Sequence, residues 1–216
     1  MIIGITGLIG SGKDTAADYL TRVHGYKRMS FASSLKDSIA IIFGWDRELL
    51  EGSTKASREW REVRDEWWSN RLQMEITPRW VLQYWGTEVC RDGFHQSIWV
   101  ASLENKLRKT NENVVITDCR FRNEVRAIRN AGGLVLRTHR GPEPDWYQLA
   151  VTWNTTDDPL LRGECSGKLY VQGIHASEYS SVGLDYDYHL DNNGTIDYLH
   201  TQIESVINSK IATLPR

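Results

Sequence analysis

Seven residues near the start of the chain, Gly7-Leu8-Ile9-Gly10-Ser11-Gly12-Lys13, have the types and spacing of a phosphate cradle. Glycines let the backbone turn tightly enough for several N–H groups to converge on one oxyanion. A helix that starts at the lysine adds the positive end of its dipole. The GxxxxGK pattern is complete, and Lys13 would set its ammonium against the β- and γ-phosphates of a triphosphate. The position after the lysine usually carries a hydroxyl for Mg²⁺; here it is Asp14, with Thr15 behind it. A carboxylate is also a hard-oxygen ligand, but it adds negative charge beside the phosphates.

Further along, the apolar run Val114-Val115-Ile116-Thr117 ends in Asp118. An acid at the end of a buried strand could hold Mg²⁺ or contact a phosphoryl acceptor; alternatively it caps the next helix. Arg120 follows at once and suits a bidentate phosphate clamp, whereas Arg126 and Arg129 read as a solvated helix face. After Pro78, Arg79, Gln83 and Thr87 lie one helical turn apart. On a neighbouring face, Trp80, Tyr84, Thr87 and Arg91 recur at i, i+4, i+7 and i+11. That face could hold a planar base and a phosphate, or serve as an ordinary core helix.

The elements that must position these groups follow from periodicity. Residues 2–6 read as a buried parallel strand. A helix over 13–23 should bury Ala16, Leu20 and Val23 and stop at Gly25. A short strand over 26–31 precedes a helix with Leu35, Ile39 and Ile42 inward, ending near Gly44. Residues 45–77 are charge-dense and read as a small helical insert with a solvated face. Helices are expected after Pro78, over 98–107, over 121–131 and from Ile196 through Val206; strands over 114–118, 134–137 and 186–190. Residues 139–175 show no sustained period and read as a long functional or mobile loop, and the tail after Lys210 should fray. Strands alternating with helices imply an α/β fold, a parallel sheet covered on both faces, with ligands at the strands' carboxyl ends.

Composition narrows the function classes. The 216 residues carry 26 Lys and Arg against 28 Asp and Glu, a net charge of −2, which argues against a protein that coats nucleic acid. No apolar run reaches membrane-spanning length, and the first residues lack the pattern of an export signal. Cys90, Cys119 and Cys165 have no metal-ligand spacing and fit a reduced compartment. Tryptophans 60, 67 and 68, read as exposed, would suit a subunit interface, so a homodimer is a candidate assembly.

Several segments together carry a resemblance: SGKDT, SFASSLK (30–36), LQYWGTEVCR (82–91), VITDCRFRNEVRAIRNAGG (115–133) and HASE (175–178). In order and spacing the chain resembles the bacteriophage deoxynucleoside monophosphate kinases over nearly its whole length. In that family a proline more commonly precedes the asparagine, where this chain has Arg122. The resemblance implies a P-loop NTPase fold like that of the nucleoside monophosphate kinases, in three layers. Its core would comprise residues 1–44 and 112–210, with a helical monophosphate-binding insert over 45–111 and a lid over 140–176. It implies transfer of the γ-phosphoryl of ATP, with Mg²⁺, to a deoxynucleoside monophosphate in the cytoplasm of an infected bacterium. No membrane and no stable nucleic-acid partner are implied.

By the same resemblance Gly10, Ser11, Gly12, Lys13, Asp14 and Thr15 would hold ATP, and Lys13, Arg120 and Asp118 would act in catalysis. Asp14 and Asp118 would serve the metal. Lys36, Arg79, Gln83, Thr87, Glu88, Arg91, Asn123 and Glu178 would frame the acceptor, with Arg140 and Arg162 as lid candidates. Two other readings fit parts of the chain. The opening MIIGITGLIGSGK is also similar to that of dephospho-coenzyme A kinases, which usually carry Ser-Thr after the lysine. A nucleotide-switch module would need the P-loop but no acceptor residues.

Overall fold

The structure, a computed structural model, describes residues 1–212, apart from the side chain of Ser177. The last part of the tail expected to fray, residues 213–216, lies outside the described residues. The chain divides into two compact units, one of Met1–Ser30 with Lys106–Arg216 and one of Phe31–Asn105.

The first unit is built on a five-stranded parallel sheet in the order β2-β3-β1-β4-β5. Its strands are β1 (Ile2–Thr6), β2 (Lys27–Met29), β3 (Val114–Ile116), β4 (Leu134–His139) and β5 (Tyr188–Asp191). Side chains alternate across the sheet, and the alternation assigns its two faces. Ile3, Ile5, Leu134 and Leu136 share a core with Ala16, Ala17 and Leu20 of α1 (Lys13–His24) and with Leu199, Ile203, Val206 and Ile207 of α12 (Ile196–Ala212). The intervening Gly4 faces α8 (Arg122–Asn130), where a Cβ would come within 2.4 Å of Ile128 Cδ1. A glycine there lets the helix settle close onto the central strand. Helices therefore cover both faces, as the alternation of elements implies.

Two inward positions expected from periodicity, Val23 and Ile42, are exposed. Ala17 is buried instead of Val23, because the inner face of α1 is narrow and made of small residues. Gly25 closes α1 in the left-handed conformation, as expected. The larger departure lies at 139–175. Instead of a long loop, the segment forms α9 (Tyr147–Thr155) and α10 (Pro159–Val171), followed by α11 (Ala176–Tyr179). No clean stripe announced them, because α9 buries a polar residue. Asn154 donates through Nδ2 to the carbonyls of Tyr179 (2.7 Å), Val182 (2.8 Å) and Ala150 (3.2 Å). Around it Ala150, Leu169, Tyr179 and Val182 form a small separate core.

The second unit is helical: α2 (Ser33–Phe43), α3 (Arg47–Glu51), α4 (Lys55–Glu62), α5 (Glu66–Leu72), α6 (Pro78–Tyr84) and most of α7 (Ile98–Leu107). Leu35, Ile39, Leu50, Ile76, Val81, Trp45 and Trp99 form its centre, while Ile42 is exposed. Trp60 and Trp68 pack against that centre; only Trp67 of the three expected surface tryptophans is exposed. Indole N–H groups are satisfied as they go under: Trp45 donates to Asp65 (2.7 Å), Trp68 to the Phe43 carbonyl (3.0 Å), and Trp99 to the Gly86 carbonyl (2.9 Å). After α6 the backbone widens into a π-helix over Trp85–Asp92, with Gly93 N–H donating five residues back to Glu88. The expected one-turn ladder through Thr87 and Arg91 therefore holds only as far as Tyr84. Trp80 and Tyr84 do stack, at 4.9 Å between ring centroids. All three cysteines are free, and no helix among the described residues is long and apolar enough to cross a membrane.

Candidate active site

The loop between β1 and α1 has the geometry of an anion cradle. Gly7, Gly10 and Gly12 all have positive φ, of 145°, 78° and 99°. Two of them are also hemmed in. A Cβ at Gly7 would lie 2.4 Å from the Thr138 carbonyl oxygen, and one at Gly12 would lie 2.2 Å from Asn192 Nδ2. Gly10 has open space around it, which leaves the crest of the loop accessible. Ser11 is buried, and its hydroxyl shares a 2.8 Å hydrogen bond with Thr138 of β4. Asn192 Nδ2 donates to the Ser11 carbonyl at 3.0 Å. The loop is thus pinned from β4 and from the residue that follows β5. The N-cap of α1 is Gly12 itself, with no side-chain cap, so its first N–H groups remain open to a ligand.

Lys13 Nζ donates to the carbonyls of Gly7 (2.8 Å) and Leu8 (2.9 Å), which holds the ammonium across its own loop. Burial pulls its pKa below the usual lysine value and the neighbouring Arg120 adds to the drop, while Asp14 opposes it. Two cations are therefore held near each other. Asp14 is exposed and lies 3.3 Å from Arg28, whose guanidinium also reaches Asp18 at 3.5 Å.

Asp118 stands just past β3 and accepts a 2.7 Å hydrogen bond from the hydroxyl of Ser30, just past β2. It does not cap α8. That task falls to the buried Glu124, whose Oε2 accepts from the N–H groups of Arg120 (2.7 Å) and Phe121 (3.0 Å). The capping box holds the turn that carries Arg120, while the Arg120 side chain stays exposed. Cys119, between Asp118 and Arg120, is buried; burial, with Glu124 and Asp118 beside it, pushes its thiol well above the usual range, so it is no nucleophile. Arg137 of β4 is also buried, paired with Glu143 and set 5.1 Å from the centroid of the Tyr147 ring. It braces the strand end structurally.

Of the other expected residues, Lys36 lies in the second unit with its ammonium 2.6 Å from Glu51, whose other oxygen takes Arg47 at 2.7 Å. Burial works against the Glu51 carboxylate, but Lys36 and Arg47 hold its pKa below the usual value. Arg79, Gln83, Thr87 and Glu88 are exposed on α6 and the π-helical turn, and Arg91 is half-buried there. Arg61 of α4 has a buried Nε without a hydrogen-bond partner among the described residues, and burial and Arg79 both lower its pKa. In the first unit, Asn123 faces a cavity beside α8 rather than the P-loop. Glu178 sits on α11, half-buried. Asn192 and Thr138, which fix the loop, were not among the expected residues. The sequence signal for Asn192 was the Asp-Asn-Asn-Gly run that ends a predicted strand. Thr138 had none.

Compared with known proteins, the chain is 30% identical over 224 aligned residues to a protein of Acanthamoeba polyphaga mimivirus provisionally named deoxynucleotide monophosphate kinase, covering 97% of both. It is 28% identical over 184 residues to the deoxynucleoside-5'-monophosphate kinase of Escherichia phage T5, covering 62% of this chain and 74% of that protein. Among solved structures, TT1252 from Thermus thermophilus aligns over 97% of both chains at 17% identity and a TM-score of 0.47. No family model matches the chain.

Proposed function

The chain belongs to the deoxynucleotide monophosphate kinase family, and from that premise we propose that it moves the γ-phosphoryl group of ATP onto the phosphate of a deoxynucleoside monophosphate. The products are ADP and a deoxynucleoside diphosphate, supplied for viral DNA synthesis. One observation supports this most: a glycine cradle with an uncapped helix end, whose lysine lies close enough to Arg120 for the two charges to repel. That repulsion is relieved when an anion lies between them.

In the reaction, an oxygen of the acceptor phosphate attacks the γ-phosphorus in line, the bond to the β–γ bridging oxygen breaks, and that oxygen leaves on ADP. The acceptor is already ionised at neutral pH, so no strong base is needed. Lys13 and Arg120 offset charge on the equatorial and bridging oxygens, and the open N–H groups at the start of α1 orient the phosphates. Ser30 and Asp118 are hard-oxygen donors 2.7 Å apart at neighbouring strand ends, a set that fits Mg²⁺; Asp14 is the second carboxylate, though Arg28 engages it. Held there, the ion would supply charge neutralisation for the transferred phosphoryl group.

In this reading the core comprises residues 1–44 and 112–210. The insert over 45–111 carries acceptor residues Arg79, Gln83, Thr87, Glu88 and Arg91, with Lys36, Asn123 and Glu178 contributed by the core. Residues 140–176 act as a lid that keeps water from the γ-phosphate. The test is a coupled ADP-release assay with ATP and Mg²⁺ against the four deoxynucleoside monophosphates, their ribose analogues and dephospho-coenzyme A. Turnover with a deoxynucleotide is expected. Turnover with dephospho-coenzyme A alone, or nucleotide binding without any transfer, overturns the reading.

A further inference from the structure

Beside α8 lies a cavity of about 400 Å³, in the size range of small-molecule sites, formed wholly within the first unit. Three arginines line it: Arg122 and Arg126 from successive turns of α8, and Arg162 from α10. Asn123, Trp153 and Ser180 add two hydrogen-bonding groups and an aromatic ring. No carboxylate and no P-loop residue is among the lining side chains.

The charge there is unbalanced. Arg122 donates to the Asn154 carbonyl and Arg162 to the Thr156 carbonyl at 2.5 Å. A carbonyl satisfies an N–H, but it does not neutralise a guanidinium. Arg126 has neither a hydrogen bond nor an ion pair to any described residue. All three arginines are exposed, so water screens their mutual repulsion, and their remaining N–H groups stay available to an anion. Each planar guanidinium can still offer paired N–H groups to a phosphate. Asn154, whose carbonyl holds Arg122, is itself held by three hydrogen bonds to carbonyls of α9 and of the segment around α11.

We propose that this cavity is a second phosphate site, which takes the phosphate of a nucleoside monophosphate through Arg122, Arg126 and Arg162 without using the P-loop. The oxyanion part stands on the three guanidiniums; the nucleoside part rests on the function proposed above. Two sources share this chemistry: the acceptor itself, or an effector nucleotide.

The experiment is equilibrium titration of the full chain carrying Lys13→Ala, read by calorimetry, with pyrophosphate and with each of the four deoxynucleoside monophosphates as probes. Binding of at least one monophosphate is expected to survive Lys13→Ala. Adding Arg126→Ala or Arg162→Ala should weaken both probes about tenfold, the scale of one lost charge-assisted hydrogen bond. Arg126 holds no described partner, so its replacement should leave the melting temperature unchanged, and Arg162→Lys should recover part of the loss.

Unchanged affinity in both arginine variants overturns the site, as does loss of all binding on Lys13→Ala alone. Arginine-dependent pyrophosphate binding with no monophosphate binding overturns the nucleoside assignment. Steady-state kinetics with Lys13 intact then separates the sources. A raised acceptor KM in Arg126→Ala identifies the acceptor; an unchanged KM with altered inhibition by excess monophosphate identifies an effector. Arginine-dependent binding in a chain that phosphorylates no deoxynucleotide would sink the proposed function and leave this site standing.

Discussion

Four helices of the helical unit and the glycine-loop helix α1 of the sheet unit treat their first turns differently, although α8 and α10 of the sheet unit are capped as well. In the helical unit, α3, α4, α5 and α6 each begin on a residue whose own side chain accepts from the first turn: Asp46, Thr54, Asp65 and Thr77. Their exposed N–H groups are consumed internally. In the sheet unit, α1 begins on Gly12 with no side-chain cap, and its loop is pinned from outside by Thr138 and Asn192. A capped helix end is a stability device. An uncapped one held rigid by its neighbours is suited to be a binding device, because its N–H groups are open to a ligand. The cores differ in the same spirit. The sheet unit is filled mainly by Ile, Val, Leu and Ala on a hydrogen-bonded frame, while the helical unit relies on bulky indoles, with six of the nine tryptophans (45, 60, 68, 80, 85 and 99) in or against its core.

The largest expected effect falls on the binding device. Lys13→Ala should lower turnover about 10²–10³-fold while leaving the fold intact, the signature of lost transition-state charge compensation. ADP release and a thermal melt, run together, check this; near-normal turnover in a folded variant would place the chemistry elsewhere.

Next comes the helical core. Leu50 is fully buried there, so Leu50→Ala should cost about 3 kcal/mol of stability. If the units differ as described, acceptor KM should rise in this variant while ATP affinity, measured by titration, stays unchanged. A parallel loss of ATP binding would show that the P-loop depends on the helical core as well.

A finer test compares two glycines of one loop. Gly12→Ala places a methyl 2.2 Å from Asn192 Nδ2 at a φ of +99°, whereas Gly10→Ala, at +78°, meets nothing within 4 Å. Both incur the left-handed penalty of about 1–2 kcal/mol, but only Gly12→Ala also displaces the brace. ATP affinity should fall further for Gly12→Ala, by about tenfold, a step worth about 1.4 kcal/mol. Equal losses would mean that Asn192 plays no part.

The smallest effect belongs to an indole. Trp45→Phe keeps the packing and removes the donor to Asp65, which should cost about 1 kcal/mol in a denaturant titration. The pH dependence of ATP affinity adds a directional check. Burial and Arg120 lower the Lys13 pKa, so the ammonium that attracts phosphate persists below that lowered value. Affinity should therefore decline as pH rises through it, earlier than an ordinary lysine would dictate. Lys13→Arg should remove the decline.

Much of the sheet unit was legible in the chain. β1 and α1 follow from an apolar run, three glycines and a lysine in fixed order, and the turn glycine at 25 marks the end of the helix. The segment around Asp118 and Arg120 was legible as a strand end followed by a helix. The region 139–175 was not, because α9 buries Asn154 and satisfies it with carbonyls of residues 179 and 182, more than twenty positions away. Periodicity measures apolar stripes and is blind to a buried amide with distant partners. The π-helical turn at Trp85–Asp92 was hidden for a related reason: the spacing of Thr87 and Arg91 assumes α-helical winding, and nothing in the residue types announces a wider turn.

By itself the sequence determined that a glycine-rich turn and a lysine would follow β1, that an acid and an arginine would stand after β3, and that a parallel sheet would carry them. These depend on local backbone preference and on alternation, both of which are properties of neighbouring residues. Only the tertiary structure decided that Asn192 would brace Gly12, that Glu124 rather than Asp118 would cap α8, and that Arg122, Arg126 and Arg162 would surround one cavity. Those are meetings between residues far apart in the chain, set by which helices pack side by side, and an arginine on a polar helix face looks the same in sequence whether it meets water or two other arginines.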